Sequence, residues 1–386
     1  MNDPARFSTF SESPQLALAG APRRGRRLSC CLMLTPAEKY FAIERIIELD
    51  FVRATEAAAL NTMQWLGKGD KEAADQAACD AIRGMFDLMD IQGEVVIGEG
   101  IKDNAPGIFK GEHLGTWKPG SIRFDIALDP VDGTTNCSKG APNSISCLAA
   151  ASPEDGVATS MEDIPSFYMM KLAYGPKVAR YMRRTGIDSV RVQNPVEESI
   201  AAVAKILEKP VKDVVVLVMD RPRHEGLVKE IRRIGASLRM FGDGDIAAAI
   251  APSLPDSGVD LYIGVGGSPE AVLAAAGVKC LGGDIQCVMW PRDKAERERL
   301  VADGHGDILD RVYLADDLAH GKNILFLATG ISDSPLLKGV SVQSGTAITH
   351  SVLMRANTQT IRYITTYHNL EMKSIRLRST QSDVKV

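Results

Sequence analysis

The spacing of hydrophobic positions divides the chain into a helical opening and a later part in which strands and helices alternate. Apolar residues recur at helical intervals over 36–66 and again over 77–86, and a stretch rich in Gly and Lys, 67–71, separates the two runs. Residues 94–97 form a short apolar run, and 122–128 alternate apolar with polar side chains, as a half-buried strand does. The first half is therefore predicted to combine two long helices with strands.

Beyond about residue 200 the pattern changes to repeated strands and helices. Strands are predicted at 214–219, 238–241 and 261–265, and each is followed by a helical pattern. Such alternation favours an α/β layer with a largely parallel sheet. One more strand is expected near 323–328, and the tail 341–369, rich in Thr, Ile, Tyr and Val, is again strand-like.

Residues 1–32 differ from the rest of the chain, with five Arg, four Ser and no periodic apolar pattern. This composition fits an organellar transit peptide or an over-long start, since a second methionine stands at position 33. We expect this extension to be disordered or not native and exclude it from the fold. The remainder is predicted to form an N-terminal α+β domain over 33–200 and a C-terminal α/β domain over 201–386.

The charge balance narrows the classes of function. The chain has 386 residues, with 45 Lys and Arg against 49 Asp and Glu and a net charge of -4. No basic field attracts nucleic acid or an anionic membrane, and no apolar stretch approaches the roughly 20 residues that cross a bilayer. Seven cysteines without a paired or zinc-like spacing suit a reducing compartment. We expect a cytoplasmic protein without nucleic-acid or membrane partners, whose cysteines are mostly buried.

Three acids follow predicted strands, where α/β proteins place their ligands. They are Glu99, Asp129 and Glu270. If these strand ends face one cleft, the ionised carboxylates repel one another unless a cation lies between them. An all-oxygen set without Cys or His suits Mg²⁺ or Mn²⁺ and argues against zinc.

The segment Asp-Pro-Val-Asp-Gly-Thr at 129–134 carries the most chemistry. Its proline fixes a bend, so that Asp129 and Asp132 can project to one side, and Gly133 lets the backbone approach a ligand. Two carboxylates on one turn can bridge cations roughly 3.5 to 4 Å apart, as in-line displacement at phosphorus requires. Thr134 is placed to orient an attacking water.

Each acid also has an ordinary explanation when it is taken alone. The 129–134 segment is rich in turn-forming residues, Glu270 can complement a helix dipole, and Asp75 is by default a solvated helix residue. The case for a site rests on the joint order and spacing of these acids.

The ordered motifs resemble those of class II fructose-1,6-bisphosphatases, the bacterial type within the lithium-sensitive, metal-dependent phosphatase superfamily that includes inositol monophosphatases. The resemblance covers roughly residues 50–370. Its motifs are 67–71 with Asp75, 96–100, 129–134, 168–172, 221–224, 243–245 and 266–270.

The resemblance implies an α/β (α+β sugar phosphatase) fold, a layered αβαβα sandwich of the inositol monophosphatase type. Metal binding is then expected in 33–200 and substrate binding in 201–386. The implied reaction is hydrolysis of the 1-phosphate of fructose 1,6-bisphosphate to fructose 6-phosphate and phosphate, in gluconeogenesis. The implied cofactor is Mn²⁺ or Mg²⁺, the partner is a small sugar bisphosphate, and the assembly is a homo-oligomer, a dimer or tetramer.

The resemblance also implies roles for individual residues. Thr134 would help to activate water, and Lys71 would lie near the transferred phosphoryl group. We expect His224 to be structural, because a metal-bound water needs no histidine base. Metal ligands are expected at Asp75 and Glu99 for one site and at Asp129, Asp132 and Glu270 for the second. Substrate contacts are expected at Asp132, Gly133, Thr134, Tyr168, Arg221, Pro222, Arg223, Asp243, Gly244, Asp245 and Gly267.

Two positions depart from the family pattern. Asp132 stands where class II enzymes usually carry Glu, and Ile101 stands where an acid is often found, which leaves Asp103 as the nearest catalytic candidate. These departures leave substrate preference and metal choice open more than the reaction class. The alternatives are dual or preferential sedoheptulose-1,7-bisphosphatase activity, which the resemblance also implies, inositol-monophosphatase-like activity, and an inactive sugar-phosphate binder, against which the retention of all five acids and Thr134 argues. A dinucleotide-binding oxidoreductase, suggested by 264–266, is disfavoured because Pro269 breaks the glycine fingerprint.

Overall fold

Two mixed β-sheets and ten helices form the part of the chain that the computed structural model describes. It covers residues 36–98, 107–153, 159–321 and 323–378, with the backbone alone for 36–46. The helices are α1 (Pro36–Thr62), α2 (Lys71–Phe86), α3 (Thr134–Lys139), α4 (Pro176–Thr185), α5 (Val196–Leu207), α6 (Glu225–Ile234), α7 (Asp245–Ile250), α8 (Ser268–Leu281), α9 (Lys294–Ala302) and α10 (Ala315–Leu318). The strands are β1 (Ile91–Ile97), β2 (His113–Leu114), β3 (Ile122–Asp132), β4 (Ile145–Ala151), β5 (Tyr168–Tyr174), β6 (Val215–Met219), β7 (Ser237–Phe241), β8 (Leu261–Gly267), β9 (Asp284–Met289), β10 (Tyr313–Leu314), β11 (Ile324–Gly330), β12 (Ser341–Gln343), β13 (Thr346–Arg355) and β14 (Thr360–Asn369).

The first sheet joins strands from both ends of the chain. Its order is β12-β13-β11-β4-β3-β1-β2, and β14 also pairs with β13. The pair β1–β3 is parallel and the other described pairs of this sheet are antiparallel. The strand-like regions near 323–328 and over 341–369 are confirmed as β11 and β12–β14. Both sheets contain strands from the first 200 residues. The division of the chain into two domains at residue 200 stays a prediction.

The second sheet corrects one expectation. Its order is β10-β9-β5-β8-β6-β7, and β6 is parallel to both of its neighbours. However, β5 runs antiparallel between β8 and β9, and β9 and β10 are also antiparallel. The prediction of a largely parallel sheet was therefore wrong. The alternation after residue 200 could not reveal β5, which comes from the first half of the chain and enters the sheet in the opposite direction.

Three hydrophobic cores stack the elements in five layers. On β3 and β4, Leu128 and Leu148 face a core shared with α1 and α2, whereas Ala127 and Ala149 face a second core that contains α7 and α8. This second core also takes one face of the second sheet, and the other face packs with α4, α5 and α6. The period of two along each strand sorts its side chains between layers. The predicted αβαβα sandwich is confirmed.

The helix that opens after the 67–71 break shows how local sequence fixes an element. Asp70 precedes α2, and its Oδ1 accepts the Ala73 N–H at 2.9 Å, an N-cap interaction. Ala74, Ala78, Ala81 and other small side chains then let α2 pack closely against the first sheet.

Two expectations from composition also have outcomes in the structure. In the described ranges, no helix has the length and apolar character needed to cross a membrane. The five cysteines in these ranges are free and buried, as expected: Cys79, Cys137, Cys147, Cys280 and Cys287.

Candidate active site

A cleft of about 600 Å³ opens between the ends of strands from both sheets. The first sheet contributes the end of β3, and the second contributes the start of β5 and the end of β8. Eleven residues predicted for the site line this cleft: Asp129, Asp132, Gly133, Thr134, Tyr168, Arg221, Arg223, Asp243, Asp245, Gly267 and Glu270.

The end of β3 positions the 129–134 segment. The pairing of β3 with β4 shifts register between Asp129 and Asp132, so the strand is irregular where its acids lie. Gly133 has φ of 85°, and a Cβ there would lie 2.4 Å from the Asn143 carbonyl oxygen. Only glycine fits this left-handed, crowded position. Thr134 then begins α3 at the cleft wall.

Asp132 caps α7 across the interior of the molecule. Its Oδ1 accepts the Asp245 N–H at 3.0 Å, and its Oδ2 accepts those of Ile246 and Ala247 at 3.0 and 3.4 Å. Gly244, the residue before this helix, has no side chain to do so. Burial raises the pKa of Asp132 well above its usual value, and the charges of Asp245, Glu270 and Asp243 raise it further. The cleft therefore contains carboxylates that repel one another.

Two buried side chains fix the carboxylate of Asp245. Lys171, which is fully buried, forms an ion pair with its Oδ2, and the hydroxyl of Tyr262 donates to its Oδ1. A Cβ at Gly266 would lie 1.9 Å from the same Oδ2, so glycine is needed for this arrangement. Both carboxylate oxygens of Asp245 thus already accept hydrogen bonds from protein donors. The predicted contact between Asp245 and the sugar stays a prediction.

Glu270 has a buried carboxylate oxygen whose surroundings fit a cation. It stands in the first turn of α8, and its Oε2 is buried without a hydrogen-bond partner in the described chain. A Cβ at Gly267 would lie 1.9 Å from that oxygen, so glycine leaves room for the carboxylate to turn back to the cleft. An unsatisfied buried carboxylate oxygen costs free energy that a cation would recover. The all-oxygen donor set fits Mg²⁺ or Mn²⁺.

The described residues alone do not complete a metal centre. Within them, no three His, Cys, Asp or Glu side chains form a group that could hold a metal ion. Glu99 and Asp103, two of the predicted functional acids, lie outside the described residues. Asp75 and Lys71 stand one turn apart on α2 and do not line the cleft.

Lys71 is connected to the cleft through α3. Its Nζ donates to Thr135 Oγ1 at 2.8 Å, and the Thr135 N–H donates to Asp243 Oδ2 at 3.0 Å. Asp243 Oδ1 in turn pairs with the Arg221 guanidinium at 2.6 Å. This chain of contacts orders Arg221 at the cleft wall before any ligand binds.

Basic and aromatic side chains also line the cleft. The guanidinium of Arg223 donates to the Val265 carbonyl at 2.7 and 3.0 Å and lies 4.9 Å from the centre of the Tyr168 ring. Arg292 lies 4.3 Å from the centre of the Phe167 ring. Arginines with fixed, planar guanidinium groups are suited to bidentate phosphate contacts.

Arg292 and Arg299 are cleft residues that the sequence reasoning missed. The buried Glu296 accepts from Arg292 Nε at 2.9 Å, and Arg299 lies 3.7 Å from its other oxygen. Burial raises the pKa of Glu296, but hydrogen bonds from Arg292 and from the Phe167 N–H outweigh it and hold the pKa below its usual value. Arg292 lies three residues after the end of strand β9, a strand end that the sequence analysis did not predict.

Asn143 was also missed, and it joins two loops of the site. Its Nδ2 donates to the carbonyls of Asp243 and Gly244 at 2.6 and 2.8 Å, and its own φ is 76°. Asn tolerates the left-handed region better than other residues with side chains. Pro222 and Gly244, both predicted to contact substrate, do not line the cleft but flank residues that do.

His224 has the structural role expected of it. Its buried Nδ1–H donates to the Met219 carbonyl at 2.7 Å, and its Nε2 accepts the Val265 N–H at 2.7 Å. The two contacts fix the tautomer and leave neither nitrogen for catalysis.

Comparisons with known proteins identify the family. A family model described as "Bacterial fructose-1,6-bisphosphatase, glpX-encoded" matches residues 45–368. The chain is 38% identical over 340 residues, 85% of its length, to 98% of "Fructose-1,6-bisphosphatase class 2" from Haemophilus influenzae. It is 35% identical over 360 residues, 87% of its length, to all of "D-fructose 1,6-bisphosphatase class 2/sedoheptulose 1,7-bisphosphatase" from Thermosynechococcus vestitus. It is 34% identical over 342 residues, 86% of its length, to 97% of "Fructose-1,6-bisphosphatase 1 class 2" from Escherichia coli K12.

These matches span nearly the whole folded region, including the acidic segment, the basic wall and the glycine-rich end of β8. They also remove the dinucleotide-binding reading of 264–266. The chain belongs to the class II, bacterial fructose-1,6-bisphosphatase family.

Proposed function

We propose that this cleft hydrolyses the 1-phosphate of fructose 1,6-bisphosphate, giving fructose 6-phosphate and phosphate. The observation that carries the assignment of residues is the convergence, in one cleft, of three carboxylates from two strand ends, one in each sheet, with four arginines. The carboxylates are Asp129, Asp132 and Glu270, and the arginines are Arg221, Arg223, Arg292 and Arg299. A bisphosphate needs both halves of such a site, since one phosphate is cleaved and the other is held.

The carboxylates are proposed to hold Mg²⁺ or Mn²⁺. Asp129, Asp132 and Glu270, which are not yet grouped closely enough to hold an ion, would move together around it as one site, and Asp75 with Glu99 would form the second. When bound, such cations neutralise phosphoryl oxygens, lower the pKa of water and stabilise the leaving alkoxide. The buried, unpartnered Oε2 of Glu270 supports this assignment. Asp132 would serve as a ligand while its oxygens also cap α7, since each carboxylate oxygen can accept more than one contact.

The other cleft residues are proposed to hold and orient the substrate. Arg221 is already ordered by Asp243, and Arg223 by the Val265 carbonyl, so both present phosphate-binding groups with little loss of freedom on binding. Gly133 and Gly267 let the sugar bisphosphate approach the backbone. Thr134, at the start of α3, would orient the water that attacks phosphorus in line with the leaving oxygen.

Phosphate release tests the proposal. Fructose 1,6-bisphosphate, sedoheptulose 1,7-bisphosphate and inositol 1-phosphate are each incubated with Mg²⁺, Mn²⁺ or EDTA. We expect cation-dependent release from fructose 1,6-bisphosphate and none from inositol 1-phosphate. The relative named for both sugar bisphosphatase activities makes sedoheptulose 1,7-bisphosphate the second substrate to compare. Preference for inositol phosphate would mean that Asp132 marks a different substrate, and no release at all would leave an inactive binder.

A matched pair of isosteric variants tests the metal assignment. Asp129→Asn removes one charge in the cleft, whereas Asp256→Asn removes one from an exposed turn. We expect turnover to be nearly abolished in the first variant and normal in the second. Near-normal turnover in Asp129→Asn would refute the role of Asp129. Four further points stay predictions. They are the identity of the preferred cation, the cytoplasmic location, assembly into a homo-oligomer, and the division into a metal-binding region, 33–200, and a substrate-binding region, 201–386.

A further inference from the structure

A second, strongly basic groove lies between α4 and α5, away from the catalytic cleft. It encloses about 350 Å³ and is lined by four cationic side chains, Lys177, Arg180, Arg184 and Lys205, against the single carboxylate of Glu208. Strand β5 connects the two sites, with its first residue, Tyr168, at the cleft and its last just before α4. At about 3.3 Å per residue, the ends of a seven-residue strand lie roughly 20 Å apart. The groove is therefore a separate site.

Three of the cations share one face of a single helix. Lys177, Arg180 and Arg184 stand at i, i+3 and i+7 on α4, and this helix contains no acidic residue. Like charges at this spacing destabilise a helix by a few tenths of a kcal/mol per pair, about as much as opposite charges stabilise it. In the described chain, none of the four groove cations forms an ion pair. Among the described residues, this concentration of positive charge therefore has no ion-paired counter-ion, although the Glu208 carboxylate lines the same groove.

The helix dipole does not account for this arrangement. Cations are favourable in the last turn of a helix, where Arg184 lies, and unfavourable in the first turn, where Lys177 lies. Lys177 has one contact in the described chain, a 3.5 Å approach of its Nζ to the Leu207 carbonyl at the end of α5. Arg180 is in the middle of α4. An ordinary solvated helix face would mix both signs of charge.

The groove has the size and lining of a small-ligand site. Sites for small molecules begin at about 300 Å³, and Tyr181 and Ile206 supply an apolar wall beside the cations. Two of the cations are arginines, whose planar groups bind phosphate oxygens in pairs. The net charge of -4 opposes a long polyanion such as nucleic acid. We propose that the groove between α4 and α5 binds a small phosphate-bearing anion at a site distinct from the catalytic cleft.

Calorimetric titration with pyrophosphate in EDTA at low ionic strength tests the proposal. The wild type is compared with Arg180→Ala/Arg184→Ala and with Arg232→Ala/Arg362→Ala, a control that removes the same charge from two exposed arginines elsewhere. A third variant, Arg223→Ala, removes a cleft arginine and identifies any binding there. In Arg180→Ala/Arg184→Ala, the groove pair, we expect pyrophosphate to bind the groove about tenfold or more weakly than in wild type, because two charge-assisted contacts are lost. The control pair and Arg223→Ala should retain that binding.

The catalytic reaction supplies an independent readout. Because the groove lies outside the cleft, kcat and KM for fructose 1,6-bisphosphate should be unchanged in Arg180→Ala/Arg184→Ala when no other anion is added. The proposal is overturned if the groove pair titrates like wild type, or if the control pair loses affinity equally. It is also overturned if wild type fails to bind free pyrophosphate but does bind vesicles that contain phosphatidylinositol 4-phosphate. The groove would then bind a lipid surface.

Discussion

Asp132, in the cleft, and His224, next to the cleft residue Arg223, both have structural roles in addition to any role in the site. Asp132 satisfies the first N–H groups of α7, and His224 bridges the end of β6 to β8 through both ring nitrogens. Each therefore contributes to stability as well as to the shape of the site. The contribution of Asp132 to stability can be measured without metal, in EDTA, and that of His224 can be measured by changing the pH.

Replacement of Asp132 should destabilise the protein even without metal. In EDTA, Asp132→Ala loses the cap and should lower the free energy of unfolding by about 1 kcal/mol, within a usual range of about 0.5–2. Both variants remove the repulsion from Asp245, Glu270 and Asp243, but Asp132→Asn keeps one oxygen as an acceptor for α7, so it should be less destabilised than the alanine variant. Urea unfolding of the three proteins measures this order. If the alanine variant is as stable as wild type in EDTA, Asp132 is not a significant cap.

His224 should make stability depend on pH below its ordinary pKa. Burial lowers the pKa of His224 from its usual value of 6.5, and the charge of Arg223 lowers it further. Below pH 6.5 the unfolded chain takes up a proton that the folded protein resists, so stability falls as pH falls towards the folded-state pKa. Protonation would also place an N–H against the Val265 N–H.

Urea unfolding between pH 5 and 8 measures this dependence. His224→Gln removes the titrating ring, and its stability should fall less steeply below pH 6.5 than that of wild type. His113→Gln, at an exposed position, controls for the loss of a histidine. Parallel pH profiles for wild type and His224→Gln would show that His224 does not contribute to the dependence.

At the scale of elements, the glycine-rich end of β8 controls the position of the acids that follow. Gly266 and Gly267 lie against the carboxylates of Asp245 and Glu270, so this strand end must lack side chains for the site to assemble. The β8–α8 junction thus positions a proposed metal ligand through the absence of a Cβ.

A Gly267→Ala substitution should damage the site more than the fold. Its Cβ would lie 1.9 Å from Glu270 Oε2, the mobile end of a side chain, so Glu270 must move away. We expect a lower kcat and a weaker response to added Mn²⁺, with a folded protein by circular dichroism. Gly226→Ala is the matched control, because nothing lies within 4 Å of its Cβ on α6. It should keep full activity and gain about 0.5–1 kcal/mol of stability. Equal activity of the two variants would contradict the role of Gly267.

The sequence predicted those elements that depend on local pattern. Helix α1, the strand that ends in Asp132 and the βα units after residue 200 are all visible as periodic hydrophobic positions. The antiparallel insertion of β5 and the capping of α7 by Asp132 were not predictable in this way. Both depend on contacts between segments far apart in the chain, and Asp132 meets α7 more than a hundred residues later. Arg299 was hidden for the same reason, since nothing in α9 alone shows which face meets the cleft.

At the scale of the whole molecule, the proposed metal site joins the two sheets. Asp129 and Asp132 belong to β3 of the first sheet, whereas Glu270 follows β8 of the second. Their mutual repulsion acts between the sheets when no cation is present. A cation shared by these carboxylates would therefore bind the folded state and oppose separation of the layers.

Added Mn²⁺ or Mg²⁺ should accordingly raise the thermal midpoint of unfolding. A cation at a hundredfold excess over its Kd stabilises the folded state by about 2.7 kcal/mol if it does not bind the unfolded chain. Scanning calorimetry with cation and with EDTA measures the shift in wild type, in Asp129→Asn and in Asp256→Asn. The shift should be similar in wild type and Asp256→Asn and largely lost in Asp129→Asn. This measurement does not depend on turnover. If the shift were undiminished in Asp129→Asn, the stabilising cation would not bind at the junction of the two sheets, even if that variant were inactive.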